Sequence, residues 1–386
     1  MRVLTLVKYY YPSRGGMETY VKQICDGLVA RGTACTVLAF NHVPGIDSSW
    51  EDINGVRVRR LRCDFKILSQ PIGGRLRAEL RALAETHDLI HLSSPFPNAE
   101  VLSSILGRRP LVISWQADPS KTRWRVLFRL YLPFLRRTLE AACRITPSSP
   151  LLVENSPTLQ PYLRKCEPIP LAFRPHAGDA ALTARQTRPV RCRLLFVGSL
   201  RQYKGVQYLL RALTLVPDAT LEIIGRGEEE TSLRKLAEQL GLTSRIEFLT
   251  DVSDQELVFY YRAADVFILP SINPAEAFGI VQAEAMSYGL PVINTRLASG
   301  VPFVSVDGVT GLTVRPASPG DLAVAINRLL HDDEFYAACS SNALERAEQF
   351  TEQTMLDAFV RVFRQCAGSS SATHIPHEGD SSETMG

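Results

Sequence analysis

The stretch Arg193-Leu-Leu-Phe-Val197-Gly198-Ser-Leu-Arg201-Gln-Tyr-Lys204-Gly205 decides the fold. Four apolar residues in a row after Arg193 read as a strand buried on both faces. A glycine-flanked basic loop follows, then helical periodicity over Val206–Leu215 and a second strand over Ala219–Ile224, closed by Gly225-Arg-Gly227. The chain opens the same way. Val3–Val7 reads as a strand, Tyr9 to Glu18 as a loop, Thr19–Arg31 as a helix stopped by Gly32, and Ala34–Phe40 as the next strand. Two such units predict an α/β protein of two Rossmann-like lobes with a ligand cleft between them.

Working outward, strands are expected at Leu89–Leu92 and Leu111–Ser114, with helices at about 75–86 and 97–106. In the second half they are expected at Arg245–Leu249, Asp265–Leu269 and Pro291–Asn294, with a helix at 254–262. Residues 174–190 lose apolar periodicity and read as a linker. The expected division is therefore an N-terminal lobe over 1–173 and a C-terminal lobe over 191–346. A last helix is expected at 347–366, and a Ser/Thr/Gly-rich disordered tail at 367–386.

At 386 residues and 45% hydrophobic, the chain can bury two sizeable cores. No apolar run reaches membrane-spanning length, and the N-terminus reads as a buried strand rather than a signal peptide. Eight scattered cysteines without a Cys-x-x-Cys pair read as reduced thiols of a cytoplasmic protein, with neither a disulfide framework nor a zinc site. The charge is divided unevenly. Residues 1–173 carry 24 Lys+Arg against 14 Asp+Glu, and the remainder 19 against 26. A basic first lobe fits an anionic membrane surface, contacted peripherally, or a lipid-linked pyrophosphate acceptor. No aromatic-basic nucleic-acid module is present. The run 123–137 interleaves Trp124, Phe128 and Tyr131 with five arginines. A helix packed on the lobe with snorkelling arginines is favoured over an interfacial helix.

The chemistry gathers at Glu276-Ala-Phe-Gly-Ile-Val-Gln-Ala-Glu284. Glu276 lies in a Pro/Asn-rich loop and Glu284 on a helix, placed to accept hydrogen bonds from a sugar and a ribose. Gly279 allows close backbone approach, and the amides of Phe278, Gly279 and Ile280 are read as open donors of the first helical turn. Arg201 and Lys204 supply a bidentate and a point charge for a diphosphate. Gly15 and Gly16 let the first loop approach phosphates. His91, at a strand end, reads as a core histidine rather than a catalytic one. No Asp-x-Asp motif or metal-ligand spacing occurs, and neither metal nor cofactor is expected.

Together the Glu-x7-Glu stretch, the Arg201/Lys204 loop and Gly15-Gly16-x-Glu18 resemble the retaining glycosyltransferases of family GT4, over roughly residues 1–365. The resemblance implies the GT-B fold, with the last helix crossing back to the first lobe, and a nucleotide-sugar donor whose diphosphate meets Arg201 and Lys204. It also implies a same-face transfer without metal. Trp115-Gln116-Ala117-Asp118 departs from the family's usual Trp-His-Ser-Asp, placing Gln116 in the catalytic His position. Gln keeps a donor and an acceptor but carries no proton near neutral pH. The segment Ser287 to Gly311 is most similar to bacterial GDP-mannose-using members that build surface polysaccharides. The implied function is hexose transfer, mannose from GDP-mannose, to a lipid-linked or polysaccharide acceptor. The alternatives are a UDP-sugar donor on the same fold, and a non-catalytic nucleotide-sugar-binding partner protein motivated by Gln116.

Overall fold

A computed structural model describes residues 1–13, 15–67, 70–73, 75–107, 109–118, 125–174 and 191–371, without the side chains of 125–127 and 369–371. The expected linker, apart from Arg174, lies outside the described residues, as does the expected tail beyond Ser371.

Two sheets organise the chain. The first runs, in spatial order, Ser49–Ile53, Val56–Leu61, Ala34–Phe40, Arg2–Leu6, Leu89–Ser94, Leu111–Trp115 and Ala142–Pro147. All neighbours pair in parallel except the antiparallel edge strand Ser49–Ile53. The second runs Ile246–Leu249, Thr220–Ile224, Arg193–Val197, Val266–Ile268, Val292–Thr295 and Gly311–Val314, entirely parallel. Leaving out the antiparallel edge strand, both follow the order 3-2-1-4-5-6, whose switch point lies between the first and fourth strands. Helices cover both faces, which is why Leu89–Ser94 and Leu111–Trp115 are buried at every position and read as continuous rather than alternating runs.

The last helix, Glu352–Ser371, starts at the second lobe and packs on the first sheet. Met355, Leu356, Phe359, Val362, Phe363 and Cys366 are buried in the same cluster as Val3, Val21, Ile24 and Val112. Its exposed side is tied to the first lobe by Arg31 with Asp357 (3.3 Å) and by Arg361 with Glu167 (2.7 Å). The helix runs to Ser371, past the residue at which the sequence reading starts a disordered tail.

One reading is corrected. Cys143 and Cys366 form a disulfide, with Cα atoms 6.0 Å apart, and are not the reduced thiols expected. The partners are 223 residues apart in sequence, and only the crossing of the last helix brings them together. The six other cysteines are free thiols.

Candidate active site

In the second lobe the loops leaving the first and fourth strands meet at the switch point. Lys204 comes from the first, Glu276 from the fourth. Their Nζ and Oε2 atoms are 2.5 Å apart, and each residue is less than one-tenth exposed. Ser271 Oγ donates to the same Glu276 oxygen at 3.0 Å, and Thr295 Oγ1 in turn donates to the Ser271 carbonyl, tying the loop to the fifth strand. Gly205 makes the approach possible. Its φ is +72° and a Cβ there would collide with the Pro270 carbonyl. Arg201 stands exposed on the same loop with no ion-pair partner among the described residues. A buried base and a buried acid thus neutralise each other beside an open guanidinium.

The Glu284 end is built differently. The helix carrying it begins at Val281, so the amides of Phe278, Gly279 and Ile280 lie in the loop before the helix and not in its first turn. The reason is Gly279, whose φ of +70° breaks the helical path. These three amides have no acceptor among the described residues. The Phe278 ring is buried against Phe303 and Phe350, leaving only its backbone for a ligand. Two buried amide side chains hold the loop. Gln282 Nε2 donates to the carbonyls of Phe278, Gly279 and Val301, and Asn294 Nδ2 donates to Gln282 Oε1 at 2.8 Å. Glu284 accepts a hydrogen bond from Tyr261 at 3.0 Å. Past the end of the third strand, Phe248, Asp251, Val252 and Phe259 line an open cavity of about 510 Å³. Arg226 donates to the Thr250 carbonyl there and pairs with Asp251.

The first lobe presents the carboxyl ends of its strands. Tyr9, Tyr10, Ser93, Trp115, Gln116 and Ser148 follow or end four adjacent strands, and each holds a buried polar atom with no partner among the described residues. Buried polar atoms are normally paired, so six unpaired ones on residues at these strand ends, beside five elsewhere among the described residues, depart from the rule. The orphan of Gln116 is its amide nitrogen. Lys8 and Lys66 place their ammonium groups 5.2 and 5.4 Å from the centre of the Tyr9 ring, and burial lowers the pKa of Lys8, as does the charge of Lys66. Gly15 and Gly16 open the following helix, Gly16–Ala30, and a side chain at Gly16 would meet only open space. No hydrogen bond or ion pair joins Gly15, Gly16 or Gln116 to Lys204 or Glu276 among the described residues. The structure gathers the predicted residues into two half-sites, one per lobe.

Residues 14–173 match the family described as Glycosyltransferase Family 4, and residues 187–346 match Glycosyl transferases group 1. The O-antigen chain mannosyltransferase C of Escherichia coli is 30% identical over 384 residues, covering 96% of this chain and all of that protein. The chain belongs to the family 4 glycosyltransferases. The D-rhamnosyltransferase WbpZ of Pseudomonas aeruginosa is also 30% identical, over 90% of this chain and 92% of its own length. Among solved structures, Anabaena Alr3699/HepE in complex with UDP superposes with a TM-score of 0.73 at 22% identity, covering 95% of this chain and 100% of that one. That likeness is one of fold, and the fold is GT-B.

For this glycosyltransferase, His91 is a core residue. It is fully buried, bonded to Ser114 Oγ at 2.8 Å, and packed on Phe359 and Phe363 of the crossing helix. Burial lowers its pKa to about 3, so it stays neutral near pH 7. Asp118 is a structural anchor that accepts from Ser156 and Thr158. The arginine-rich run lies largely in the helix Arg125–Ala141, with residues 119–124 outside the described set. Leu135, Thr138 and Leu139 face the core, whereas Leu130 and Phe134 are exposed among Arg129, Arg136 and Arg137. The favoured packing is present, and with it an uncovered apolar pair in a cationic rim. Among the described residues no helix is long and apolar enough to cross a membrane, and no group of three His, Cys, Asp or Glu side chains could hold a metal. Sequence reasoning missed Ser271, Tyr261, Gln282 and Asn294. Tyr261 and Asn294 act through side chains carried by other elements, Glu284 and Gln282, whereas Ser271 and Gln282 act within their own loop, on Glu276 and on the Phe278 and Gly279 carbonyls, at polar positions that no motif distinguishes.

Proposed function

We propose that the chain is a retaining hexosyltransferase that moves mannose from GDP-mannose onto a lipid-linked or polysaccharide acceptor in cell-surface glycan synthesis. The observation that carries this reading is the buried Lys204–Glu276 pair at the switch point, with Arg201 open beside it. A donor diphosphate gives Arg201 the negative charge it lacks and competes with Glu276 for Lys204. Lys204 then shifts toward the phosphates and Glu276 is released to accept from the sugar hydroxyls, while Glu284 meets the ribose. The amides of Phe278, Gly279 and Ile280 donate to the donor from the loop, and the Gly15-Gly16 turn closes over it from the first lobe. Fixed positive charge from these groups stabilises the departing diphosphate without a required metal or cofactor. Gln116, with its orphan amide, orients the transferred sugar by hydrogen bonding, which a same-face transfer needs more than it needs a protonated base.

Support for mannose comes from the name of the E. coli relative, matched end to end. Support for a phosphate-bearing acceptor comes from Lys8 and Lys66 around Tyr9 in a lobe of net positive charge. That charge, with Leu130 and Phe134 exposed among arginines, supports a peripheral site for the enzyme on the cytoplasmic face of an anionic membrane.

The test is thermal stability of the full chain in EDTA with GDP, UDP, ADP or no nucleotide, followed by turnover of GDP-mannose. A nucleotide at ~100 times its dissociation constant adds roughly 2.7 kcal/mol. Stabilisation by GDP with release of GDP from GDP-mannose is the expected result. Stabilisation by UDP alone overturns the mannose donor, and binding without turnover replaces the enzyme by a binding protein. A large gain of turnover in Gln116→His identifies Gln116 as an impaired site rather than a native one.

A further inference from the structure

We propose that Tyr261 is a positioning residue for the donor nucleotide, its hydroxyl holding the Glu284 carboxylate in the orientation that meets the ribose. The inference rests on the preceding reading of Glu284 as the ribose acceptor and goes beyond it to a residue outside the Glu276–Glu284 stretch.

The geometry is that of a fixed support. Tyr261 is fully buried in the helix Asp254–Ala263, and its hydroxyl donates to Glu284 Oε2 at 3.0 Å. Its ring lies stacked on Tyr288, with centroids 5.2 Å apart and planes at 8°, and contacts Phe267 at 6.3 Å. The helix start is fixed as well. Ser253 and Glu256 form a capping box, each bonding the other's backbone amide. Tyr288 follows the helix that carries Glu284, so the stack joins the two helices on which donor and acceptor of this hydrogen bond reside. Burial and the Glu284 charge both hold the phenol pKa well above its ordinary value, so the hydroxyl remains a donor wherever the carboxylate is charged.

Glu284 needs such a support. It is only half-buried, on the first turn of a seven-residue helix, and a glutamate side chain loses rotamer freedom when a ligand fixes it. A hydrogen bond to a charged acceptor from a ring that cannot move removes much of that cost before the ligand arrives. Tyr261 therefore contributes to nucleotide affinity through the ribose hydroxyls alone, and not through base or phosphates.

Calorimetric titration of wild type and Tyr261→Phe with GDP, UDP and their 2′,3′-dideoxy counterparts tests this. Phenylalanine keeps the stack and removes one oxygen. The expected result is a roughly tenfold weaker affinity of Tyr261→Phe for the ordinary nucleotide, the size of one charge-assisted hydrogen bond, with the dideoxy nucleotide bound equally by both proteins. In turnover, KM for the donor rises while kcat stays within about twofold. In a Glu284→Ala background, removing the phenol must change affinity by less than about twofold, because its effect passes through that carboxylate. Equal losses on ordinary and dideoxy nucleotides, or a further tenfold loss in that background, overturn the proposal and leave Tyr261 a packing residue. A wild type that binds neither GDP nor UDP overturns instead the nucleotide-sugar reading on which it rests.

Discussion

Replacing Lys204 by methionine tests the buried pair directly. The side chain keeps its length and loses its charge, leaving Glu276, 7% exposed, with the Ser271 hydroxyl as its remaining partner seen in the site. Breaking a buried pair by removing one member costs about 3–5 kcal/mol, because the other charge stays desolvated. Glu276 retains one good hydrogen bond and lies at the rim of a cleft, which puts the expected loss at about 3 kcal/mol. A domain of 150–250 residues shifts about 2–4 °C per kcal/mol, so the second lobe should melt roughly 6–12 °C lower. Urea unfolding monitored in the second lobe measures this, with Glu276→Leu and the double variant completing a cycle. The double variant should recover most of the loss, since no charge remains buried. Nucleotide stabilisation should disappear in Lys204→Met although the protein is folded. A single-variant loss below about 1 kcal/mol, or a double variant as unstable as the sum of the two singles, would refute the idea that the two charges hold each other in the donor-free enzyme.

Three further outcomes follow from the first lobe. Phe359→Ala should cost about 3–5 kcal/mol in chemical unfolding, since its buried ring touches Tyr20, His91 and Phe363. Reduction, or Cys366→Ser, should lower stability by about 2–4 kcal/mol, with the oxidised wild type giving two fewer titratable thiols than the reduced protein. Glu100 is fully buried, and burial raises its pKa to about 7 against the opposing bonds from Ser94 and the Phe96 amide. Its raised folded-state pKa favours the protonated form, so its contribution is fully present below the unfolded value near 4.5 and is lost as pH rises to about 7. Unfolding at pH 5 and pH 8 should show wild type losing on the order of a few kcal/mol relative to Glu100→Gln.

The strands that carry the site were legible because parallel sheets covered on both faces need unbroken apolar runs. Ala34–Phe40 and Arg193–Val197 match the expected bounds at both ends. Val56-Arg-Val-Arg-Arg-Leu61 was not read as a strand, since Arg59 and Arg60 sit at buried positions. The structure pairs Arg59 with the distant Glu79 and Arg60 with Glu51, its neighbour across the hairpin turned at Asn54-Gly55. Within the site, Lys204 and Glu276 were legible as chemistry. That they neutralise each other was not, because the contact joins two loops 72 residues apart across a switch point. The disulfide was hidden for the same reason, cysteine spacing being silent about pairs made by a crossing helix.

The crossing helix also sets the order in which this chain becomes a protein. The first 173 residues leave the ribosome without Phe359, Phe363 and Cys366, so the face of their sheet that these side chains cover stays open until residues 352–371 have been made. The second lobe's core is complete once Phe350 has been made, before the crossing helix begins. The lobe made first is thus finished last. A chain stopped short of residue 352 would present a complete half beside an unfinished one, with apolar surface open to whatever it next meets.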